Sequence, residues 1–197
     1  MKAFFLPMTS STSFKLFLAL ILSSGTLLYS HYHHNKMSKY FNSSEEYVLK
    51  ELPNFPLMEI YSKKEGLLQE LIPNNSKGVL VHFWGTWCGP CEEELPSFLK
   101  LLDSQKENNL VAILFAINDE EAKVKKFLSK KIGKLPSNIL VAVDNKGHSL
   151  QKFGTLKVPE TYAFNEQGKM VKKFVGPQDW DSPYFSDYLG TIFKKNQ

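Results

Sequence analysis

From about Glu51 onward, apolar runs alternate with amphipathic stretches, and that alternation predicts an α/β fold. "VLVHFW", Val79 to Trp84, is a β-rich run suited to a buried strand. "LVAILFAI", Leu110 to Ile117, is almost wholly apolar, as expected at the centre of a parallel sheet covered on both faces. "ILVAVD", Ile139 to Asp144, is another strand. Between these runs the spacing turns helical. Cys91 to about Lys106 places Leu95, Phe98, Leu99 and Leu102 on one face, and Pro96 inside it should kink the helix. Asp119 reads as the N-cap of a further helix whose Val124, Phe127, Leu128 and Ile132 line one side.

The flanking pieces are shorter. "FPLMEIYS", Phe55 to Ser62, predicts a first strand, "EGLLQELI", Glu65 to Ile72, a short helical piece, and "PNNSKG" a turn. "NKGHSLQKFG" is a turn with a short helix, and "ETYAFN" and "KMVKKFV" flank "EQGK" as an antiparallel hairpin. Ser182-Pro183 opens a last helix with Phe185, Tyr188, Leu189 and Phe193 inward. A βαβ opening followed by a hairpin predicts a mixed central sheet with helices on both faces. With 43% hydrophobic residues the chain can bury such a core.

The first 50 residues read differently. Residues 1–30 form a targeting segment: Lys2 and Lys15 precede the uncharged "LFLALILSSGTLLYS", Leu16 to Ser30, a positive n-region followed by an h-region. That run is short of the ~20 residues that a spanning helix needs. An uncleaved signal anchor with the body exported and a signal peptide cleaved near Ser23-Ser24-Gly25 both remain open, and Lys36 and Lys39 beyond the run weaken the orientation. Lipoprotein processing is excluded, because both cysteines lie far downstream. Residues 31–50 look like a polar tether, which extended could reach ~65 Å. His31, His33 and His34 belong to that tail rather than to a zinc site, which needs convergent ligands. The folded domain is expected over residues 51–197.

Charge narrows the partners. All 24 basic residues are lysines; Lys2, Lys15, Lys36 and Lys39 fall in the first 40 residues, leaving a body with 20 lysines against 20 acids. A neutral body without arginine speaks against nucleic acid, which requires a phosphate-facing basic surface. The pairs Lys125-Lys126, Lys130-Lys131 and Lys172-Lys173 read as solvated faces.

The chemistry lies in "HFWGTWCGPCEEELP", His82 to Pro96, which holds both cysteines of the chain, Cys88 and Cys91. A staple closing so small a loop would stabilise the fold little. A structural zinc site would want a second ligand pair, which His82 on the preceding strand and the distant His148 do not supply. A redox pair fits best, since Cys-x-x-Cys beside a βαβ pattern is a redox signature and disulfides persist outside the cytoplasm. At a helix N-terminus, free N–H groups and the macrodipole stabilise a thiolate at Cys88. Cys88 is expected to be exposed at the tip and to attack a substrate disulfide; Cys91, one turn inside, is shielded and resolves the mixed disulfide. Pro90 suits the first turn, Glu92 and Glu93 are exposed first-turn acids, and Trp84 and Trp87 pack, with Trp87 also a rim for the partner.

"FWGTWCGPC" resembles the thioredoxin active site. Pro96 matches that family's helix-kinking proline, and "KVPETYAF" is similar to the segment carrying its cis-proline, with Pro159 as that residue. The resemblance covers roughly residues 51–197 and implies a thioredoxin-like fold, with backbone groups of Val158 set beside Cys88 for a substrate strand to pair with. Within thioredoxins the chain resembles the exported, membrane-tethered TlpA/ResA/CcmG (DsbE) group: Glu94 falls where that group carries an active-site glutamate, "VPET", with Glu160, is similar to its proline loop, and "VGPQDW" to the tryptophan region after its final strand. This implies a thiol–disulfide oxidoreductase on the extracytoplasmic (periplasmic) face of a membrane, acting mainly as a reductant on protein disulfides, with apocytochrome c as client. It also implies Glu94 as a proton and pKa modulator, a membrane thiol-electron donor for re-reduction, and no bound cofactor, the electrons residing on the cysteines. A general reductase with many clients, an oxidase and an inert binding fold are the rival readings. One departure stands out: His82 occupies the place of a buried aspartate in cytoplasmic thioredoxins and often of an asparagine in this group. It reads either as a hydrogen-bonded buried histidine or as a base that helps deprotonate Cys91.

Overall fold

The computed structural model describes residues 20–31 and 49–194. The chain divides into two units, Met1–Val48 and Leu49–Gln197. In the first, residues 20–31 form helix α1, exposed along its length. Among the described residues no helix is long and apolar enough to cross a membrane. The remainder of the expected targeting segment and most of the tether, His33 and His34 included, lie outside the described residues.

The second unit runs β1 (Pro56–Met58), β2 (Glu65–Leu67), α2 (Leu68–Leu71), β3 (Gly78–Trp84), α3 (Gly89–Ser104), β4 (Leu110–Ile117), α4 (Glu121–Lys131), β5 (Ile139–Asp144), α5 (His148–Phe153), β6 (Glu160–Asn165), β7 (Met170–Val175) and α6 (Pro183–Lys194). Five strands form the central sheet in the order β5-β4-β3-β6-β7. β3, β4 and β5 are parallel, while β6 and β7 run antiparallel, so the sheet is mixed as predicted.

Strand alternation sorts the core. Leu80 and Trp84 of β3 face one side, where Phe98 and Leu102 of α3, Val124 and Leu128 of α4, and Phe185 and Leu189 of α6 cover them. Val79, Val81 and Phe83 face the other, against Leu68 of α2 and Phe153 of α5. Helices therefore cover both faces. Each such fully buried apolar side chain contributes about 1.5–3 kcal/mol relative to exposure.

Three local expectations are corrected. The first strand shrinks to β1, which pairs with β2 in a separate two-stranded sheet. The chain turns because the Glu59 carboxylate accepts the N–H groups of Tyr61 and Ser62, and Lys63 then adopts φ +58°. Residues 65–67, read as helical, pair with β1 instead, leaving only Leu68–Leu71 as helix. Asp119 does not cap α4; the N-cap is Glu120, without a side-chain bond, and the two Asp119 oxygens accept the N–H groups of Glu120 and Thr86 instead. At the domain's start, Leu49 is buried and the Lys50 carbonyl accepts the Met170 N–H, so both residues join the fold.

Candidate active site

The loop from β3 into α3 is pinned to the end of β4. The Thr86 N–H donates to Asp119 Oδ2 at 2.7 Å, and Trp87 Nε1–H donates to the Ile117 carbonyl at 2.9 Å. The Trp87 indole folds back over Gly85, where a Cβ would lie 2.6 Å from Nε1, so this close approach requires glycine. Trp87 is 54% exposed, whereas Trp84 is fully buried against Phe127. Trp84 thus packs, and Trp87 lies largely at the surface.

Cys88 is the N-cap of α3 and is disulfide-bonded to Cys91, with Cα atoms 5.2 Å apart. The Cys91 N–H points at the Cys88 sulfur, 3.3 Å away. When the disulfide opens, charge developing on that sulfur meets this donor and the positive end of the helix. Cys88 is 6% exposed and Cys91 is inaccessible. The order of exposure is the expected one, but Cys88 does not stand out at a tip. Its side chain belongs to the apolar cluster beneath the sheet, against which Val158 also packs.

Glu94, on α3 one turn past Cys91, is buried. Its Oε2 accepts the Gln178 N–H at 2.8 Å and Trp180 Nε1–H at 3.0 Å. Its Oε1 has no hydrogen-bond partner among the described residues; neither has Nε2 of the fully buried His82, 3.7 Å away. That gap is too long for a hydrogen bond. Burial pushes the Glu94 carboxyl upward despite the two N–H donors that pull it down. Burial also pulls His82 down to about 3. The two therefore do not form an ion pair at neutral pH. His82 Nδ1 lies 2.8 Å from Thr161 Oγ1, its register partner on β6, and its ring stacks on Phe98 at 4.6 Å. A ring so strongly depressed is a weak base, which favours the hydrogen-bonded reading over the basic one.

The Val158–Pro159 peptide is cis, and the Pro159 carbonyl accepts the Gly176 N–H at 3.0 Å. Val158 packs against both cores, while Leu156 in the same loop is 94% exposed. Thr161, Gln178 and Asp119 were not legible as site residues, since their contacts cross between strands and loops distant in sequence. Trp180 carried a signal only through the likeness of "VGPQDW". Among the described residues, no group of three or more His, Cys, Asp or Glu side chains could hold a metal ion.

A family model described as Redoxin matches residues 50–192. The chain belongs to the Redoxin family. It is 31% identical over 154 residues to the thiol-disulfide oxidoreductase ResA of Bacillus cereus, a match covering 78% of this chain and 83% of that one. A putative thiol:disulfide interchange protein DsbE from Chlorobium tepidum shares the fold at 21% identity and TM-score 0.61, covering 73% of this chain and 96% of that one. StoA from Bacillus subtilis does so at 20% identity and TM-score 0.53, covering 74% and 97%.

Within the family the chain falls in the TlpA/ResA/CcmG group, and it is a thiol–disulfide oxidoreductase with Cys88 and Cys91 as its disulfide. The bonded pair can accept two electrons. Cys88 is the slightly exposed member of the pair and Cys91 the inaccessible one.

Proposed function

We propose that the protein is a membrane-anchored extracytoplasmic reductase of protein disulfides that serves cytochrome c maturation. The observation that carries the reading is the disulfide at the start of α3, with Cys88 slightly exposed, Cys91 sealed, and a buried carboxyl one turn behind it.

In the reduced protein, the Cys88 thiolate attacks a client disulfide; a Cys88–client bond forms and one client sulfur leaves as thiolate. Cys91 then gives its proton to Glu94, and its sulfur attacks Cys88. The Cys88–Cys91 bond forms, the Cys88–client bond breaks, and the second client sulfur leaves as thiolate. Two electrons have passed to the client, and the proton rests on Glu94, whose burial favours the protonated acid. A dithiol donor attacking Cys88 forms a Cys88–donor bond and expels Cys91, which takes the proton back from Glu94; the donor's second thiolate then breaks that bond, leaving as a disulfide and freeing the Cys88 thiolate, a role that a membrane thiol-electron carrier fills. Trp87, Val158 and Pro159 form the client-facing rim.

Apocytochrome c as client is supported by "VPET", Glu94 and the N-terminal segment taken together. A tether would hold the site near the membrane at raised effective concentration for clients there. The test uses the full chain. Cys88→Ser should abolish insulin reduction by a dithiol donor, and Cys91→Ser should trap clients as mixed disulfides, because nothing inside the protein then displaces them. Captured c-type apocytochromes, with weakened c-type haem staining in cells lacking the protein, support the specialised role. A broad catch without them, with normal staining, leaves a general reductase.

A further inference from the structure

Residues 154–159 connect α5 to β6 and include Pro159. On the face of the sheet opposite His82, one phenol ties both ends of this loop. The Tyr162 hydroxyl donates to Glu160 Oε2 at 2.9 Å, and Thr155 Oγ1 lies 3.0 Å from the same phenol oxygen. The phenol has a single hydrogen, which Glu160 takes, so the Thr155 hydroxyl is the donor to Tyr162. The other Glu160 oxygen meets Lys173 Nζ at 3.1 Å. Lys173 is the register partner of Tyr162 on β7, and its ammonium sits 5.0 Å over that ring. The ring itself is wedged edge-on against Phe83 and Phe153, with centroids 5.8 and 5.3 Å away. Its hydroxyl therefore occupies a fixed point.

Buried polar groups need partners. Lys173 and Tyr162 already satisfy Glu160, so the bond to Thr155 adds something separate: it fastens the far end of the loop. We infer that Tyr162 is a positioning residue for client binding, its hydroxyl holding Thr155 and Glu160 at a set separation and so fixing the course of the chain that presents Val158 and Pro159. This rests on the reading of that loop as client-facing. With Thr155 released, Leu156 to Pro159 regain backbone freedom that a client must remove on binding, so affinity falls while the chemistry at sulfur continues.

The test compares full-length wild type, Tyr162→Phe, Thr155→Val, Thr155→Ser and the double variant Tyr162→Phe/Thr155→Val. Each is assayed with insulin and with a small aromatic disulfide that engages only the sulfur. Tyr162→Phe and Thr155→Val should each raise the KM for insulin about three- to tenfold with kcat changed less than about twofold, as loss of one hydrogen bond in binding predicts. Thr155→Ser should keep the wild-type KM. The double variant should be no worse than Tyr162→Phe alone, because that change already removes the bond that Thr155→Val breaks. Amide exchange at Leu156 to Val158 should quicken in Tyr162→Phe while β3 stays protected. If Tyr162→Phe does not fold, Thr155→Val reports on the same bond. Unchanged KM in the single variants, equal losses on both substrates, or additive effects in the double variant would overturn the inference. A wild type inert towards insulin would instead overturn the reductase reading, and this inference with it.

Discussion

Glu94 packs beneath one face of the central sheet and Glu160 beneath the other, 5% and 3% exposed. Their supports come from adjacent residues of β6. Thr161 faces one side and holds His82; Tyr162 faces the other and holds Glu160. Beyond that the surroundings diverge. Glu160 has a lysine on one oxygen and a phenol on the other, so its charge is answered within the fold. Glu94 has two N–H donors on one oxygen and, among the described residues, none on the other. Burying an unanswered carboxylate is costly, and the proton is the remedy at hand. A fully partnered buried acid is scaffold, whereas a half-partnered one beside a disulfide can store a proton.

The comparison breaks most visibly at Glu94. Glu94→Gln keeps the shape but removes the proton acceptor, and should slow resolution of the Cys88–client disulfide by about 100-fold. Stopped-flow measurement of client release checks this, and an undiminished rate would reduce Glu94 to a packing residue. Next comes Lys173→Met, which leaves Glu160 buried beside an apolar chain. Breaking a buried pair costs about 3–5 kcal/mol, but Lys173 is 34% exposed, so a loss of about 2 kcal/mol by urea denaturation is expected.

A third effect, of about the same size, appears only with pH. His82 is lowered from 6.5 to about 3, so the fold favours the neutral ring. Its contribution is complete above pH 6.5 and is lost as pH falls towards 3. Wild type should lose about 2 kcal/mol between pH 6.5 and 4.5 that His82→Asn retains. Glu94 has the opposite sign. Raised above 4.5, it contributes stability at low pH that disappears as pH rises, so Glu94→Gln should gain on wild type towards neutrality. Chemical denaturation across pH measures both slopes, and parallel curves for all three proteins would contradict both. The smallest effect belongs to Tyr162→Phe, about 1 kcal/mol for its lost hydroxyl bonds.

Much of this was written locally. "LVAILFAI" became β4 residue for residue, and the hairpin, the last helix and the cysteine turn fell where their patterns put them. A continuous apolar run survives folding as a central strand because both of its faces are covered, and half-buried elements keep the period-2 or period-3.6 face that meets the core. The weak spots were short and polar. Glu59 turned "FPLMEIYS" aside by accepting nearby N–H groups, and Leu67, Leu68 and Leu71 suit a strand-then-helix as well as a helix. At the site, Cys88, Cys91 and Glu94 stood out through spacing and likeness. What surrounds Glu94 did not, since the Trp180 indole and the Gln178 N–H reach it from a loop far away in sequence. Asp119 shows the same limit: its spacing suits an N-cap, but its carboxylate accepts the N–H of Thr86, far away in sequence, and that of its neighbour Glu120.

The central claim is that the half-partnered glutamate handles the proton of the cysteine pair and the fully partnered one does not. The direct measurement is the pH dependence of the rate at which a dithiol reduces the Cys88–Cys91 disulfide, in full-length wild type, Glu94→Gln and Glu160→Gln. The account predicts that an inflection present in wild type vanishes or moves in Glu94→Gln and keeps its position in Glu160→Gln. An unchanged profile in Glu94→Gln, or the same displacement in both variants, would contradict it.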